Sequence, residues 1–501
     1  MCVGTASHVG KTVLVAALCR LFARQGYRVS PFKAQNMALN SGVTPGGGEI
    51  GRGQMYQAAA AGVEPCVDMN PVLLKPHADG RSQVIVRGRP VGHMRVQEYQ
   101  EYQAELWPLI LASLAHLRTT NDLVIIEGAG SAAEINLREH DIANLRVARE
   151  IGCPVLLVGD IDRGGVFAAL VGHMELFTED ERRLIRAFVI NRFRGEERLL
   201  ASGLRLLTER TGVPTLGVLP VLDAWRGDEE DSVGLERFAR SSGKRDVTVA
   251  ILRLPYMSNF TDFAALADEP DIEVRFAVAP GDLLAADLIC VPGTKSTVAD
   301  LSWIRAVGLD VALSTAVARG KSVIGICGGY QMLGNALRDP DGIESERAEV
   351  AGLGLLDVET TFAATKRTTA VTGEVLAGTP LGESGMLFSG YEIHMGRTVL
   401  GDRARPLLRM SWPDGTVTEE GACSAGTAPG EGLVCGTYVH GLFDLPELRV
   451  ALVESLRTAA GLSSCGARRV HFDQIDRFAD HVEEHLDLRQ LQEIVGLSLG
   501  C

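Results

Sequence analysis

Aromatic residues and positive charge are scarce in this sequence. Phe, Trp and Tyr together make up 5% of its 501 residues, whereas glycine occurs 56 times. This composition favours α/β domains with many tight strand–helix turns over a β-sandwich packed on aromatic side chains. The formal net charge of −14 argues against nucleic acid as a partner, because phosphate contacts require clustered Lys and Arg.

Long apolar runs and paired cysteines are also absent. No stretch reaches the roughly 18 to 20 apolar residues that cross a bilayer, and the N-terminus lacks the layout of a signal peptide. The ten cysteines show no paired spacing, which predicts reduced thiols rather than a disulfide framework or a zinc site. These absences together predict a cytoplasmic protein without a membrane partner.

The length and the apolar pattern predict a multidomain α/β protein. A chain of 501 residues is too long for one ordinary core. Short apolar runs such as residues 123–127, 154–160 and 322–326 alternate with helix-length segments, which is the pattern of parallel sheets. Residues 223–246 are charged and poor in apolar side chains. We predict an N-terminal domain over residues 1–225, a linker over 226–246, a second domain over 247–448, and a helical C-terminal extension over 449–501 that packs on the second domain.

A glycine-rich loop near the start of the chain has the features of a phosphate-binding loop. Residues 4–12 read GTASHVGKT, where Gly4 and Gly10 allow backbone N–H groups to curl around an anion. Lys11 would reach the β- and γ-phosphate oxygens of ATP, and the Thr12 hydroxyl would bind Mg²⁺. Five residues separate the glycines where the common motif has four, so a chance glycine-rich turn is the alternative. The helical periodicity that follows directly argues against it.

Magnesium also requires carboxylate ligands, and the sequence offers two candidates. Glu127 ends an apolar strand, at the edge where parallel sheets present their ligands. Glu49 is the second candidate, with a solvated loop charge as its alternative. Asp160 and Asp162 follow the next strand, and whether they bind Mg²⁺, orient a substrate or cap the turn stays open.

A cysteine and a distant histidine form a candidate thiol site. The apolar run at 322–326 leads into Cys327 and a glycine pair, which has the form of a nucleophile elbow. His440 would serve as the base and then as the acid, while the backbone N–H groups of Gly293 and Gly328 would hold the oxyanion. The alternative is a structural cysteine and histidine, which the glycine elbow at a strand end disfavours.

Several long sequence blocks resemble the cobyric acid synthase family. They cover nearly the whole chain and include the segments FKAQNMALNS, MNPVLLKP, SNFTD, GYEIHM and GTYVHG. Their positions are residues 32–41, 69–76, 127–131, 133–137, 160–167, 258–262, 390–395 and 436–441, together with the Cys327 segment.

This resemblance implies a fold and an activity. The N-terminal domain is similar to dethiobiotin synthetase, a P-loop parallel-sheet fold with the same five-residue loop spacing, and the second is similar to a class I glutamine amidotransferase-like α/β domain. The family uses ATP, Mg²⁺ and glutamine to amidate the b, d, e and g side-chain carboxylates of adenosylcobyrinic acid a,c-diamide, a corrinoid, giving adenosylcobyric acid in cobalamin biosynthesis. Its nucleophile falls on Cys327 and its histidine on His440. The order of amidations, the residues that bind the corrin and any homo-oligomer stay open.

The sequence departs from its relatives at two positions. Class I glutaminases usually carry Glu two residues after the histidine, whereas this chain has Leu442. We therefore expect His440 to lack an orienting carboxylate, which predicts modest glutamine hydrolysis unless the synthetase site is occupied. In the phosphate loop, His8 stands where relatives usually have Asp, which predicts an altered affinity for ATP.

The two sites predict a division of labour within one chain. Cys327 releases ammonia from glutamine, and the N-terminal domain uses it on an acyl phosphate made with ATP. One alternative is cobyrinic acid a,c-diamide synthase, which has both modules but amidates other carboxylates; residues 32–41 and 69–76 favour the cobyric enzyme. The other is a non-catalytic ATPase of the partition-protein type, which the presence of both Cys327 and His440 disfavours.

Overall fold

The structure is a computed structural model of the chain. The described residues are 1–77, 80–222, 245–376, 381–412, 415–424, 432–463 and 474–497. The predicted linker over 226–246 therefore lies outside the described residues except for its last two positions.

The N-terminal half contains twelve described strands and seven described α-helices. The strands are β1 (Cys2–Gly4), β2 (Val29–Phe32), β3 (Gln35–Met37), β4 (Ser41–Val43), β5 (Glu49–Gly51), β6 (Val72–Pro76), β7 (Ser82–Val86), β8 (Arg89–Met94), β9 (Leu123–Ile126), β10 (Val155–Asp160), β11 (Ile185–Phe193) and β12 (Thr215–Pro220). The helices are α1 (Lys11–Arg24), α2 (Arg52–Ala61), α3 (Val96–Thr120), α4 (Leu145–Ile151), α5 (Val166–Leu176), α6 (Glu179–Leu184) and α7 (Ala201–Thr211).

A parallel sheet forms the centre of this half, as predicted. Strands β1, β10, β11 and β12 pair in that order, and β2 pairs with β9. A parallel bridge between Cys2 and Glu127 joins the two groups at β1 and β9. All six residues of β10 are buried, as expected for a parallel strand covered on both faces. The carboxyl end of β1, between β9 and β10, is where such sheets bind ligands.

The N-terminal half also contains a smaller four-stranded sheet. Its strand order is β3, β6, β7 and β8, and β4 forms a hairpin with β5 beside it. Because side chains alternate along a strand, β6 and β7 present two different surfaces. One includes Leu74 and Ser82, and the other includes the cross-strand pair Lys75 and Gln83.

The second half contains sixteen described strands and six described α-helices up to residue 459. The strands are β13 (Val247–Leu252), β14 (Ile272–Ala277), β15 (Leu288–Val291), β16 (Ser322–Ile326), β17 (Ala336–Arg338), β18 (Glu349–Ala351), β19 (Val358–Thr361), β20 (Arg367–Val375), β21 (Leu387–His394), β22 (Arg397–Leu400), β23 (Ala404–Arg405), β24 (Leu408–Ser411), β25 (Val417–Glu420), β26 (Ala422–Ser424), β27 (Val434–Thr437) and β28 (Val439–His440). The helices are α8 (Ala264–Ala267), α9 (Pro280–Leu284), α10 (Thr297–Ala306), α11 (Leu309–Ala318), α12 (Gly328–Leu333) and α13 (Pro446–Ala459).

A second parallel sheet organises this half. Strands β14, β13, β15, β16 and β27 pair in parallel in that order. Strand β26 pairs antiparallel with β27, and β23 pairs antiparallel with β26 at the edge of the sheet. A separate antiparallel sheet runs in the order β25, β24, β20, β21 and β28. The predicted α/β class is therefore confirmed in both halves of the chain.

The last two described helices do not pack where the sequence analysis placed them. Helices α14 (Gln474–His485) and α15 (Leu488–Val495) lie against the N-terminal half, where Phe478 and Val482 join a core that contains α1. Arg24 of α1 forms ion pairs with two aspartates of α14. The prediction that the extension packs on the second domain is wrong for these helices. Their apolar side chains pack against α1 and β12 of the N-terminal half.

The prediction that the cysteines are reduced thiols is wrong for one pair. Cys423 on β26 and Cys435 on β27 lie opposite each other across antiparallel strands and form a disulfide. The spacing of the cysteines does not reveal this disulfide, because the two residues are brought together by strand pairing. Six other described cysteines, Cys327 among them, are free thiols.

The described part of the chain holds no single helix that is long and apolar enough to cross a membrane. The bent pair α10 and α11 reaches the necessary length and composition only together, with an angle of 80° between the two helices.

Candidate active sites

Cys327 lies on a strained turn between β16 and α12. Its backbone angles are φ 53° and ψ −111°, a conformation that residues other than glycine rarely adopt. The Cys327 N–H donates to the Thr437 carbonyl at 2.8 Å, and the Gln331 N–H donates to the Cys327 carbonyl at 3.1 Å. Strand pairing and helix bonding thus hold the strain, as in the predicted nucleophile elbow.

His440 lies at the end of β28, directly opposite Tyr391 on β21. The two rings are stacked, with centroids 5.3 Å apart and an angle of 15° between planes. The preceding residue on β21 is Gly390, where an added Cβ would lie 2.4 Å from the His440 carbonyl oxygen. Glycine is therefore required for β21 to approach the histidine this closely.

A carboxylate orients His440, contrary to the expectation drawn from Leu442. The Nδ1 atom of His440 lies 2.7 Å from Oδ2 of Asp262, and the Gly441 N–H donates to Oδ1 of the same carboxylate at 3.1 Å. Both side chains are almost fully buried, at 1% and 3% exposure. The prediction of a missing carboxylate is wrong because the acid comes from 178 residues earlier in the chain rather than two residues later.

The surroundings of His440 favour its charged form. Burial lowers the pKa of the imidazole, but the Asp262 carboxylate and the Cys327 thiolate outweigh it and raise the pKa to about 10. The second ring nitrogen, Nε2, is buried and has no hydrogen-bond partner among the described residues. A histidine that is oriented through Nδ1 and presents Nε2 can exchange a proton with a neighbouring thiol or leaving group.

The two predicted oxyanion positions border this pair. A Cβ built on Gly293 would lie 3.4 Å from Cε1 of His440, so the loop after β15 runs beside the imidazole. A Cβ built on Gly328 would lie 3.1 Å from the Thr294 nitrogen, so this loop also touches the start of α12. Cys327, His440, Gly293 and Gly328 thus lie together, and their roles remain predictions.

The predicted phosphate loop connects β1 to α1. Gly10 has φ 94°, and an added Cβ there would lie 2.2 Å from Nδ2 of Asn191, so the position needs glycine. The Lys11 ammonium group donates to the carbonyl oxygens of Ala6 and Gly130 at 3.0 and 2.8 Å. Arg192 donates to the His8 carbonyl at 2.6 Å and steadies the loop from β11.

Thr12 and Glu127 lie next to each other, in agreement with a shared role. The Thr12 hydroxyl donates to Oε1 of Glu127 at 2.8 Å. Lys33 lies 3.1 Å from the same oxygen, and Gln57 donates to Oε2 at 2.6 Å. A hydroxyl at the first turn after a phosphate loop and a carboxylate directly after β9 are hard oxygen donors that fit Mg²⁺.

Asp160 and Asp162 are paired with arginines. Asp160 lies 2.9 Å from Arg192, and Asp162 lies 2.9 Å from Arg194. Asp160 also accepts a hydrogen bond from the Asp162 N–H at 2.9 Å, which caps the turn after β10. Of the three roles left open, the structure supports the cap.

Glu49 has a different environment from the other two predicted metal ligands. Its side chain is fully buried, and Oε1 lies 2.6 Å from the Lys75 ammonium while Oε2 lies 2.5 Å from that of Lys366. Burial raises the pKa of Glu49, but Lys366, Lys75 and Lys295 outweigh it and hold the pKa well below its usual range. The alternative of a solvated loop charge is wrong. Glu49 is the counter-charge of a lysine cluster in this structure, and its role as a Mg²⁺ ligand stays a prediction.

A cavity of about 730 Å³ adjoins the phosphate loop. Thr5, Ser7 and Gly130 line it on the loop side, and Met37 and Leu74 line it on the side of the small sheet. Its size and mixed lining suit a large organic substrate that is bound next to a phosphate group.

Sequence comparison assigns a class to each half. Residues 1–232 match the family model described as the CobQ/CobB/MinD/ParA nucleotide binding domain, and residues 248–447 match the model described as the CobB/CobQ-like glutamine amidotransferase domain. The protein is thus a nucleotide-binding domain joined to a glutamine amidotransferase domain.

Full-length relatives narrow this class to one family. The chain is 49% identical to the cobyric acid synthase of Sorangium cellulosum, 46% to that of Syntrophobacter fumaroxidans and 48% to that of Moorella thermoacetica. Each match covers 99% of this chain and at least 96% of the relative. The chain belongs to the cobyric acid synthase family, and it is an enzyme, a ligase with its own glutamine amidotransferase domain.

Two residues of the thiol site were missed by the sequence analysis. Asp262 ends the SNFTD block, and Tyr391 follows the glycine of the GYEIHM block. Both blocks carried the family resemblance without a role assigned to either residue. An acidic residue at the end of such a block was the available signal for Asp262.

Proposed function

We propose that this enzyme catalyses the ATP- and glutamine-dependent amidation of the b, d, e and g side-chain carboxylates of adenosylcobyrinic acid a,c-diamide, giving adenosylcobyric acid. The carrying observation is the full-length similarity to cobyric acid synthases, at 49% identity over 99% of the chain. The arrangement of Asp262, His440 and Cys327 and the loop that ends at Lys11 support this proposal. The pathway is cobalamin biosynthesis, and the ligands are a corrinoid, glutamine and ATP.

Glutamine hydrolysis takes place at Cys327. The thiolate attacks the side-chain amide carbon, and the backbone N–H groups of Gly293 and Gly328 hold the resulting oxyanion. The His440 imidazolium protonates the leaving ammonia, which gives a thioester on Cys327. Water then attacks the thioester, His440 takes its proton, and glutamate leaves as the thiolate is regenerated. Asp262 keeps the imidazole in position through both steps.

Carboxylate activation takes place at the phosphate loop. Lys11 and the loop N–H groups hold the β- and γ-phosphates of ATP. A carboxylate oxygen of the substrate attacks the γ-phosphorus and ADP leaves; ammonia then attacks the acyl carbon and inorganic phosphate leaves. Thr12 and Glu127 would hold Mg²⁺, which supplies charge stabilisation at the phosphates when it is bound.

The substrate assignment is tested by incubation of the enzyme with ATP, Mg²⁺, glutamine and adenosylcobyrinic acid a,c-diamide. Mass spectrometry of the corrinoid should show four successive replacements of OH by NH₂. No change with this substrate, together with two amidations of cobyrinic acid itself, would move the chain to the function of a cobyrinic acid a,c-diamide synthase. Absence of glutamine hydrolysis under every substrate condition would contradict both.

A further inference from the structure

Two neighbouring residues of the N-terminal half form a reciprocal contact with the glutaminase half. The Ser41 N–H donates to Oδ1 of Asn259 at 3.0 Å, and the Phe260 N–H donates to Oδ1 of Asn40 at 3.1 Å. All four residues are buried, with exposures between 0% and 3%. These reciprocal hydrogen bonds fix the relative position of the two chain segments, because separating them would leave buried N–H donors and amide oxygens without partners.

The segment held in this way carries the carboxylate that orients the catalytic histidine. Asn259 adopts a left-handed conformation with φ 53° and begins the short helical turn of Phe260–Phe263. The Asp262 N–H donates to the Asn259 carbonyl at 3.0 Å. A displacement of Asn259 would therefore move Asp262 and, with it, Nδ1 of His440.

The second support of His440 rests on the same residues. The Tyr391 hydroxyl donates to the Ser41 carbonyl at 3.1 Å, while its ring stacks on the imidazole. Val43, two residues further along β4, packs against Tyr391. Tyr391, which stacks on the imidazole ring, therefore contacts Ser41 directly. Asp262, which binds Nδ1, belongs to the short turn that Asn40 and Ser41 hold through Phe260 and Asn259.

Asn40 and Ser41 are also connected to residues that line the cavity beside the phosphate loop. Met37 lines the cavity and precedes Asn40 by three residues. The Ser41 hydroxyl accepts a hydrogen bond from the Lys75 ammonium at 2.7 Å, and Leu74, the neighbour of Lys75 on β6, lines the cavity. A substrate that moves β3 or β6 would move Asn40 and Ser41 directly.

We propose that Asn40 and Ser41 are positioning residues that hold His440 in place from the opposite domain and so couple glutamine hydrolysis to the occupancy of the cavity. We call these two residues the Asn40–Ser41 clamp. The proposal rests on the proposed glutaminase function of Cys327 and His440. The Asn40–Ser41 clamp would allow efficient ammonia release only when the two halves are correctly joined.

The variant Asn40→Ala tests this directly, because it removes the acceptor for the Phe260 N–H. We expect glutamine hydrolysis to fall about tenfold. Hydrolysis should no longer be stimulated by ATP with corrinoid. Synthesis from added ammonium should stay within about twofold of the unchanged enzyme, since that reaction does not use Cys327 or His440. Arg52→Gln, which breaks the interdomain ion pair with Asp444, is the matched control and should keep the stimulation.

A double-mutant cycle separates positioning from general weakening of the fold. If Asn40 acts through Asp262, then Asn40→Ala should add little to the effect of Asp262→Asn on glutamine hydrolysis. Tyr391→Phe, which removes only the hydroxyl, should lower hydrolysis by a few fold. Independent, multiplying effects of Asn40→Ala and Asp262→Asn would overturn the proposal, as would normal stimulation in Asn40→Ala or an equal loss of ammonium-driven synthesis. If the unchanged enzyme hydrolyses no glutamine, it is instead the proposed function that fails.

Discussion

The Asp262 carboxylate lies 2.7 Å from Nδ1 of His440, so a carboxylate orients the imidazole of the proposed glutaminase site. The carboxylate comes from the loop after β13, while the histidine ends β28. Two residues beyond the histidine, where class I glutaminases usually carry Glu, this chain has Leu442. The same chemical group is supplied here from a different part of the fold, which is how such triads recur in unrelated sequences.

Replacement of Asp262 by Asn should slow glutamine hydrolysis by about a hundredfold, because the imidazole loses both its orientation and its charge partner. Burial still lowers the pKa of His440, whereas Asp262, the larger of the two influences that raise it to about 10, is removed. The alkaline limb of the pH–rate profile should therefore move to lower pH. Glutaminase assays across the pH range check this.

Two controls accompany the Asp262 variant. Asp282→Asn changes an exposed helix-capping carboxylate and should leave the profile in place. Synthesis from ammonium should persist in Asp262→Asn. An unchanged alkaline limb would show that the Asp262 carboxylate does not set the pKa of His440.

His440 also predicts a pH dependence of stability. Its folded-state pKa of about 10 lies above the ordinary value of 6.5, so its charged form stabilises the fold fully below about pH 6.5. That contribution is lost as the pH rises through about 10. Denaturant unfolding of the unchanged enzyme and of His440→Gln should differ most below pH 6.5 and converge towards pH 10; a constant difference would contradict the shifted pKa.

Replacement of Cys327 by Ala should abolish synthesis from glutamine and preserve synthesis from added ammonium salts. The nucleophile is lost, but the phosphate loop and its cavity are untouched. Cys290→Ala, at a buried free thiol on the neighbouring strand β15, is the matched control and should retain glutamine-dependent synthesis. Loss of both reactions in Cys327→Ala would reject the division into two sites.

Replacement of Lys11 by Ala should stop amide synthesis from either nitrogen source, since the β- and γ-phosphates lose their cation. Basal glutamine hydrolysis at Cys327 should continue, which also shows that the variant has folded. Lys321→Ala removes a partly exposed ion pair with Asp287 and serves as the control. Ammonium-driven synthesis retained by Lys11→Ala would reject the assignment of this loop.

Replacement of Glu49 by Gln should destabilise the enzyme by about 3 kcal/mol, because the buried ammonium groups of Lys75 and Lys366 lose their counter-charge. The pKa of Glu49 is held low, so its contribution is present above its ordinary value of 4.5 and declines as the pH falls below that. Denaturant unfolding should show a gap between the two proteins at pH 7 that narrows in acid.

The partly exposed pair of Glu273 and Arg275 provides the comparison for Glu49. Glu273→Gln should change the free energy of unfolding by well under about 1 kcal/mol. Equal stability of Glu49→Gln and the unchanged enzyme at pH 7 would indicate that the lysines are already neutral there.

The parts of the molecule that follow local patterns were predictable from the sequence. Parallel strands, the phosphate loop at Lys11 and the elbow at Cys327 each depend on a few adjacent residues. The carboxylate of Asp262, the lysine partners of Glu49 and the docking of α14 depend on contacts between distant segments. No periodicity within either segment reports such a contact, so the sequence alone left these wrong or undefined.

The return of α14 to α1 makes the glutaminase half an insertion within the synthetase half. During translation, the N-terminal core stays incomplete until helices near the end of the chain have left the ribosome, because Phe478 and Val482 belong to it. The glutaminase sheet, by contrast, has all its strands earlier. A ribosome that stops before α14 therefore releases a chain with all the strands of the glutaminase sheet but an incomplete N-terminal core, so we expect the arrangement that holds His440 only in chains that reach α14.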